Sequence, residues 1–328
     1  NSSRKFHKKK ALFKGFECCG TYENFNDRSA SISYYLNKIK GIKKNDKVAI
    51  FMSNTTEYLE IIYAIWYFGG VVVPINSKLH LDEAIWIINN SDAKVVFTDN
   101  KKQFRPKVNK EFDLLVISIS DSKFKQLYLY DKMDAPVSIS DNELVWLFYT
   151  SGTTGKPKGV MLSSHNLRAM IEGYVPDVDN VYSSDTALYA APLSHGAGLY
   201  NIIFVKFGAR HSVPASGKFV PLEILKLAPK LKNVCMFLAP TMVNKLVEIT
   251  AKTNLNVDQI RTIVYGGGPM YLADIIKAEK VMGPKFVQIF GQGECPMAIS
   301  VLKRDEISDR ESRNWRERVS SVGRKQSV

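Results

Sequence analysis

Between residues 47 and 98 the sequence alternates short β-branched runs with stretches of helical apolar spacing, and few folds accommodate that alternation. The run 47–52 (KVAIFM) precedes 55–68, where Leu59, Ile62, Ile65, Tyr67 and Phe68 recur at helical spacing behind Asn54 or Thr55 as cap. Gly69 and Gly70 stop that helix. Residues 71–75 (VVVPI) then read as a strand, 81–89 as a helix capped near Asp82, and 94–98 as another strand. Strands that are apolar throughout and joined by helices need cover on both faces. The pattern therefore predicts a mostly parallel sheet between helix layers. The stretch 58–75 is the most apolar of the chain, but Glu60, Gly69, Gly70 and Pro74 divide it into a helix and a strand rather than a membrane span.

The alternation weakens from 99 to 142, where one clear strand (114–119) stands among Asp, Ser and Lys, and 118–142 reads as a connecting stretch. It resumes with a strand at 143–150 and a glycine-rich loop at 151–159. Further strands are expected at 159–162, 187–191, 211–214, 234–238, 262–265 and 286–290, with helices at 166–173, 221–228, 240–252 and 272–281. The linear pattern suggests a first α/β lobe over 1–142 and a second over 143–303. The charge-crowded remainder, 304–328, is expected to be exposed and mobile.

A formal charge of +13 raises the question of nucleic acid. The basic residues are scattered, however, and no zinc finger, RRM-like signature or basic heptad helix gathers them. No nucleic-acid partner is expected; a dispersed basic surface suits small anionic substrates. Cys18, Cys19, Cys235 and Cys295 have neither metal-site nor disulfide-framework spacing, so reduced thiols and a cytoplasmic setting are the simplest account. Residues 1–10 are polar, without a secretory signal.

Four segments carry chemistry. In 147–159 (LFYTSGTTGKPKG) an apolar strand enters a loop of hydroxyls and glycines, then a lysine, then another apolar strand. Glycines let backbone N–H groups converge on phosphate oxygens, and lysine adds a compact positive charge. Pro157 and the apolar run after Gly159 exclude the helix opening that the common nucleotide P-loop requires. In 190–198 (AAPLSHGAG) a histidine sits between small residues, open to chemistry or to packing. In 264–270 (VYGGGPM) a strand ends in Gly266, Gly267 and Gly268, either as a tight connection or to let a flat ring approach the backbone. In 288–294 (QIFGQGE) Glu294 offers a hard oxygen ligand of the kind Mg²⁺ prefers.

On these segments, from 21–22 to 321–324, the chain resembles the adenylate-forming superfamily of acyl-CoA synthetases, luciferase-like enzymes and peptide-synthetase adenylation domains. The resemblance implies an α/β fold of two mostly parallel sheets flanked by helices, layered αβαβα. It implies ATP, Mg²⁺ and CoA acting on a small-molecule carboxylic acid, which becomes acyl-AMP and then a thioester. Thr150, Ser151, Gly152, Thr153, Thr154, Gly155 and Lys158 would contact the nucleotide phosphates, and His195 would gate the acyl site or orient the carboxylate. Gly266, Gly267 and Gly268 would line the adenine pocket, Phe290 and Gly291 would lie beside adenine, and Glu294 would hold Mg²⁺. Gly293 departs from the resemblance, standing where a threonine is usual. The form with Ser194 and Gly196-Ala-Gly198 is similar to fatty- and medium-chain-activating members. The family continues past the block at 321–324 into a ribose-binding aspartate motif and a mobile C-terminal domain. Neither lies within 1–328, so this chain alone is expected not to complete thioester formation. Alternatives are an aryl- or amino-acid adenylation domain serving a carrier protein, and a non-catalytic nucleotide-binding lobe.

Overall fold

Successive side chains of the strand Lys47–Phe51 enter two different cores. Val48 and Ile50 pack with Leu59, Ile62 and Trp146, whereas Ala49 and Phe51 pack with Val73, Ile87 and Phe104 on the opposite face. This is the two-residue period of a strand buried on both sides. The computed structural model describes residues 2–100, 104, 114–150 and 156–328. Six strands form one sheet in the order Leu115–Ser118, Ala93–Thr98, Lys47–Phe51, Val71–Ile75, Leu144–Thr150 and Lys158–Ser163. All pair in parallel except the last, which closes an antiparallel hairpin.

A nine-stranded sheet runs Arg324–Lys325, Ser300–Leu302, Phe286–Phe290, Ile260–Tyr265, Val234–Leu238, Thr186–Leu188, Arg210–Val213, Lys10–Lys14 and Glu17–Thr21. Its six middle strands are parallel and both margins antiparallel. The helices Tyr22–Tyr34 and Thr56–Tyr67 pack on each other, and the second touches strands of both sheets. Leu59, Ile61, Ile62 and Ile65 are fully buried around this helix. At about 1.5–3 kcal/mol for each such side chain, burial rather than helix propensity holds it. Two mostly parallel sheets flanked by helices is the expected architecture.

The sheets do not divide at residue 142. The hairpin Leu144–Thr150/Lys158–Ser163 joins the first sheet through Val72 opposite Trp146, while Lys10–Lys14 crosses to pair with Arg210–Val213 of the second. The connecting stretch is folded too: Phe124–Leu129 is a 3-10 helix with Phe124 and Leu127 buried, and Tyr128 donates to the Glu60 carboxylate at 2.5 Å. The segment expected to be exposed and mobile beyond 303 is instead packed. Arg304–Ser308 and Trp315–Val319 are helices that bury Ile307, Trp315 and Val319, and the Trp315 indole donates to the Ile307 carbonyl at 2.6 Å. One apolar residue per turn sufficed to anchor a stretch that otherwise reads as charge.

His211, fully buried on its strand, ties the second sheet to the helix Tyr22–Tyr34. The Tyr22 hydroxyl donates to the Ala209 carbonyl at 2.6 Å, so its oxygen accepts from His211 Nε2 at 3.1 Å. That leaves Nδ1 bare to accept from the Tyr189 hydroxyl at 2.7 Å, with the two rings stacked. Burial pushes the His211 pKa from the ordinary 6.5 down to about 3. Between those two values the unfolded chain binds the extra proton, so the stabilisation is present above about pH 6.5 and is lost as pH falls toward 3. Denaturant melts are expected to lose up to about 1.4 kcal/mol per pH unit from this histidine as pH drops below 6. His211→Gln should flatten that slope, and an identical slope in the variant would refute the assignment.

Candidate active site

Four neighbouring parallel strands of the nine-stranded sheet, Thr186–Leu188, Val234–Leu238, Ile260–Tyr265 and Phe286–Phe290, point their carboxyl ends the same way. The loop with His195, the turn at Ala239-Pro240, the triple glycine and the segment 291–294 follow these strands in turn. Ligands of open α/β sheets gather at such an edge. Gly266 is required there, because a Cβ on it would lie 2.5 Å from the Ile289 carbonyl oxygen of the next strand. Gly267 adopts φ +81°, which L side chains avoid. Gly291 likewise leaves no room, since its Cβ would meet the Met297 nitrogen at 2.4 Å.

His195 occupies the position before the helix Gly196–Lys206. Its Nδ1 is 2.9 Å from the Ser194 hydroxyl, and burial holds its pKa below the usual value, which keeps the ring neutral at pH 7. The loop that carries it is fixed by Asn54, from the junction after Lys47–Phe51 in the other sheet. Asn54 Nδ2 donates to the carbonyls of Tyr189 and Ala191 at 2.9 and 2.7 Å, and Oδ1 accepts from Leu193 N at 2.9 Å. In the sequence Asn54 showed only as a helix cap, because its partners lie some 140 residues away. Gly198 lets the helix close on the same loop, a Cβ there falling 1.7 Å from the Leu193 carbonyl oxygen.

The hairpin of the six-stranded sheet comes down on this edge. Phe148 meets the His195 ring edge-on at 6.0 Å. A Cβ on Gly293 would lie 2.9 Å from the Thr150 methyl, 3.0 Å from Val160 Cγ2 and 3.4 Å from Phe148 Cδ1. The residue standing in place of the usual threonine thus receives the hairpin. Lys158 is exposed and pairs across the hairpin with Thr150. Ser151, Gly152, Thr153, Thr154 and Gly155 lie outside the described residues. Phe290 ends its strand half-buried, and a hydrogen bond from Gln292 N to the Cys295 carbonyl at 3.1 Å closes the turn that exposes Glu294. Among the described residues no cluster of three or more His, Cys, Asp or Glu could hold a metal. A single exposed carboxylate fits Mg²⁺ delivered on substrate phosphates, not an ion held by protein alone.

Because Thr150 and Val160 are β-branched and stiff, Gly293→Thr must displace the hairpin. A loss of about 1–3 kcal/mol of stability is expected in denaturant melts. Unchanged melting would show that the hairpin does not rest there.

A model described as AMP-binding enzyme matches residues 1–326. The chain is 27% identical to a feruloyl-CoA synthase of Amycolatopsis sp over 290 residues, which cover 88% of this chain and 57% of that protein. It is 28% identical to 4-coumarate–CoA ligase 2 of Solanum tuberosum, over 84% of this chain and 52% of the relative. The chain thus spans about half the length of the curated relatives it matches. Among solved structures, the N-terminal domain of FACL13 from Mycobacterium tuberculosis superposes with TM-score 0.86 at 21% identity, covering 99% of this chain and 81% of that one. The o-succinylbenzoate-CoA synthetase of Bacillus subtilis in complex with AMP gives 0.82 at 23%, covering 99% and 63%. No helix among the described residues is long and apolar enough to cross a membrane.

Proposed function

The chain belongs to the AMP-binding enzyme family, and from that premise we propose that it activates a carboxylic acid with ATP, forming an acyl-adenylate that becomes a CoA thioester in the whole protein. One observation carries this reading: the hairpin bearing Thr150 and Lys158 packs directly on Gly293, beside Glu294 and His195. Attack of a carboxylate on the α-phosphorus, with pyrophosphate leaving, asks the protein for in-line placement and charge neutralisation rather than for a nucleophile of its own. Lys158 supplies positive charge at the mouth of the hairpin. Glu294 would hold Mg²⁺, which when bound offsets phosphate charge. Neutral His195, held by Ser194 and by the Asn54-fixed loop, can present an N–H or a lone pair to the acid without competing as a charge.

As for the acid, the Ser194 and Gly196-Ala-Gly198 form resembles fatty- and medium-chain-activating enzymes, whereas relatives named for feruloyl and 4-coumaroyl groups point to ring-bearing acids. A cytoplasmic setting accords with the reduced thiols and with substrates of this kind. The test is ATP–pyrophosphate exchange dependent on added acid. Exchange that needs an acid supports the reading. ATP binding that no acid converts into exchange supports the non-catalytic lobe instead.

A further inference from the structure

Residues 291–299 join the antiparallel strands Phe286–Phe290 and Ser300–Leu302. Near the end of this loop the buried Met297 holds a backbone φ of +66°. L side chains avoid that region, and methionine lacks the short polar group with which Asn or Asp eases it. Such a conformation persists only where its surroundings hold it. Here the Met297 carbonyl accepts a hydrogen bond from Gln326 Nε2 at 2.8 Å, and the same nitrogen donates to the Ser300 carbonyl at 3.1 Å.

Gln326 is itself fixed. It is buried directly after the strand Arg324–Lys325, and its backbone N donates to the Ile299 carbonyl at 3.1 Å. Next to it, Ser327 N and Oγ donate to the two oxygens of the buried Asp177 carboxylate at 2.7 and 2.9 Å. The amide therefore reaches the loop from a chain segment pinned elsewhere and does not swing with it.

The turn it holds touches both halves of the site. On one side the Met297 nitrogen and Cα stand where a Cβ on Gly291 would need room, at 2.4 and 2.7 Å. On the other, the thioether lies over Gly196, where a Cβ would fall 2.7 Å from Cε and 2.8 Å from Sδ. Gly291 lies three residues before Glu294, and Gly196 directly follows His195. A change of φ at Met297 would move both contacts together.

We infer that Gln326 is a positioning residue: through the Met297 carbonyl it holds the left-handed turn that sets the loop 291–299 against Gly196, and so fixes where Glu294 and His195 stand. The inference rests on the adenylation reading above for what those two groups do. Without the two donated bonds, two carbonyls in a buried setting lose their partner and Met297 is free to relax to negative φ. The loop then shifts from Gly291 and Gly196 alike.

The experiment measures amide hydrogen exchange and acid-dependent ATP–pyrophosphate exchange on the full chain and three variants. Gln326→Met keeps length and bulk but donates nothing, and Gln326→His keeps one N–H. Ser327→Ala, which cuts the neighbouring Oγ bond to Asp177, is the purely structural comparison. In Gln326→Met, protection is expected to fall about tenfold within 291–299, at the Gln292 and Ile299 amides that bond the Cys295 and Phe290 carbonyls, and to hold elsewhere. KM for ATP should rise about tenfold, with Gln326→His in between. A smaller folded fraction lowers kcat and leaves KM alone, so Ser327→Ala should keep KM within about twofold. Protection lost evenly along the chain, or KM unchanged in Gln326→Met, overturns the inference; should that variant not fold, the same two readouts on Gln326→His decide. If no acid supports pyrophosphate exchange in the unaltered chain, the adenylation reading fails by itself. Protection then decides the rest: a loss confined to 291–299 sustains the hold on the loop, and an even loss or none overturns it.

Discussion

Lys158→Ala is expected to lower acid-dependent ATP–pyrophosphate exchange by about 100- to 1,000-fold while leaving the melting temperature essentially unchanged. The two halves of that expectation come from different observations. Lys158 is exposed at the first residue of its strand, and surface substitutions of this kind cost about 0.5 kcal/mol or less. It also stands opposite Thr150 across the hairpin, where the proposed reaction would need a phosphate charge neutralised. Removing one preorganised group that faces developing charge costs about 2.7–4 kcal/mol of transition-state stabilisation. Lys158→Arg should recover part of the charge but not the point geometry of an ammonium, and so regain only part of the rate. Exchange within a fewfold of wild type in Lys158→Ala would remove this lysine from the mechanism.

Asn54→Ala should fail on both counts at once. Three buried hydrogen bonds from one side chain hold the chain between Tyr189 and Leu193. Truncation leaves two carbonyls and one N–H in a space closed to water, each costing about 1–3 kcal/mol if nothing replaces the partner. A loss of at least about 3 kcal/mol in denaturant melts is expected. Exchange should fall further than the folded fraction explains, because the same loop carries His195. Asn54→Asp keeps the acceptor for Leu193 N but turns two donated bonds into repulsions, so it should be no better than alanine. If Asn54→Ala loses stability with no loss of exchange per folded molecule, the loop does not need this anchor to place His195.

What could be read without coordinates follows from physical range. Strands buried on both faces announce themselves locally: Val71–Ile75 and Val234–Leu238 are apolar runs bounded by turns, and each is a strand of the expected sheet. The glycine clusters were visible because they interrupt such runs at their carboxyl ends. Sheet membership was not visible, because pairing Lys10–Lys14 with Arg210–Val213 spans some 200 residues and leaves no local trace. The anchoring roles of Asn54 and His211 were hidden for the same reason: each is one polar residue among polar neighbours, and its meaning lies in distant partners. Trp315 and Ile307 were hidden by the charges around them, although a tryptophan amid arginines is itself a hint of an anchored helix. At the site, Gly293 reads as a missing hydroxyl in the sequence and as a seat for the hairpin in the fold.

The edge-on contact between Phe148 and His195 has a thermodynamic consequence. Phe148 belongs to the strand Leu144–Thr150, which the proposed function puts on the nucleotide side, and His195 to the loop it puts on the acid side, so a shift of either ring displaces the other. Occupancy on the two sides therefore shares a coupling free energy. Linkage makes it reciprocal: whatever factor the nucleotide contributes to affinity for the acid, the acid returns to the nucleotide. Phe148→Ala would uncouple the pair, leaving each ligand bound with the same strength whether or not the other is present.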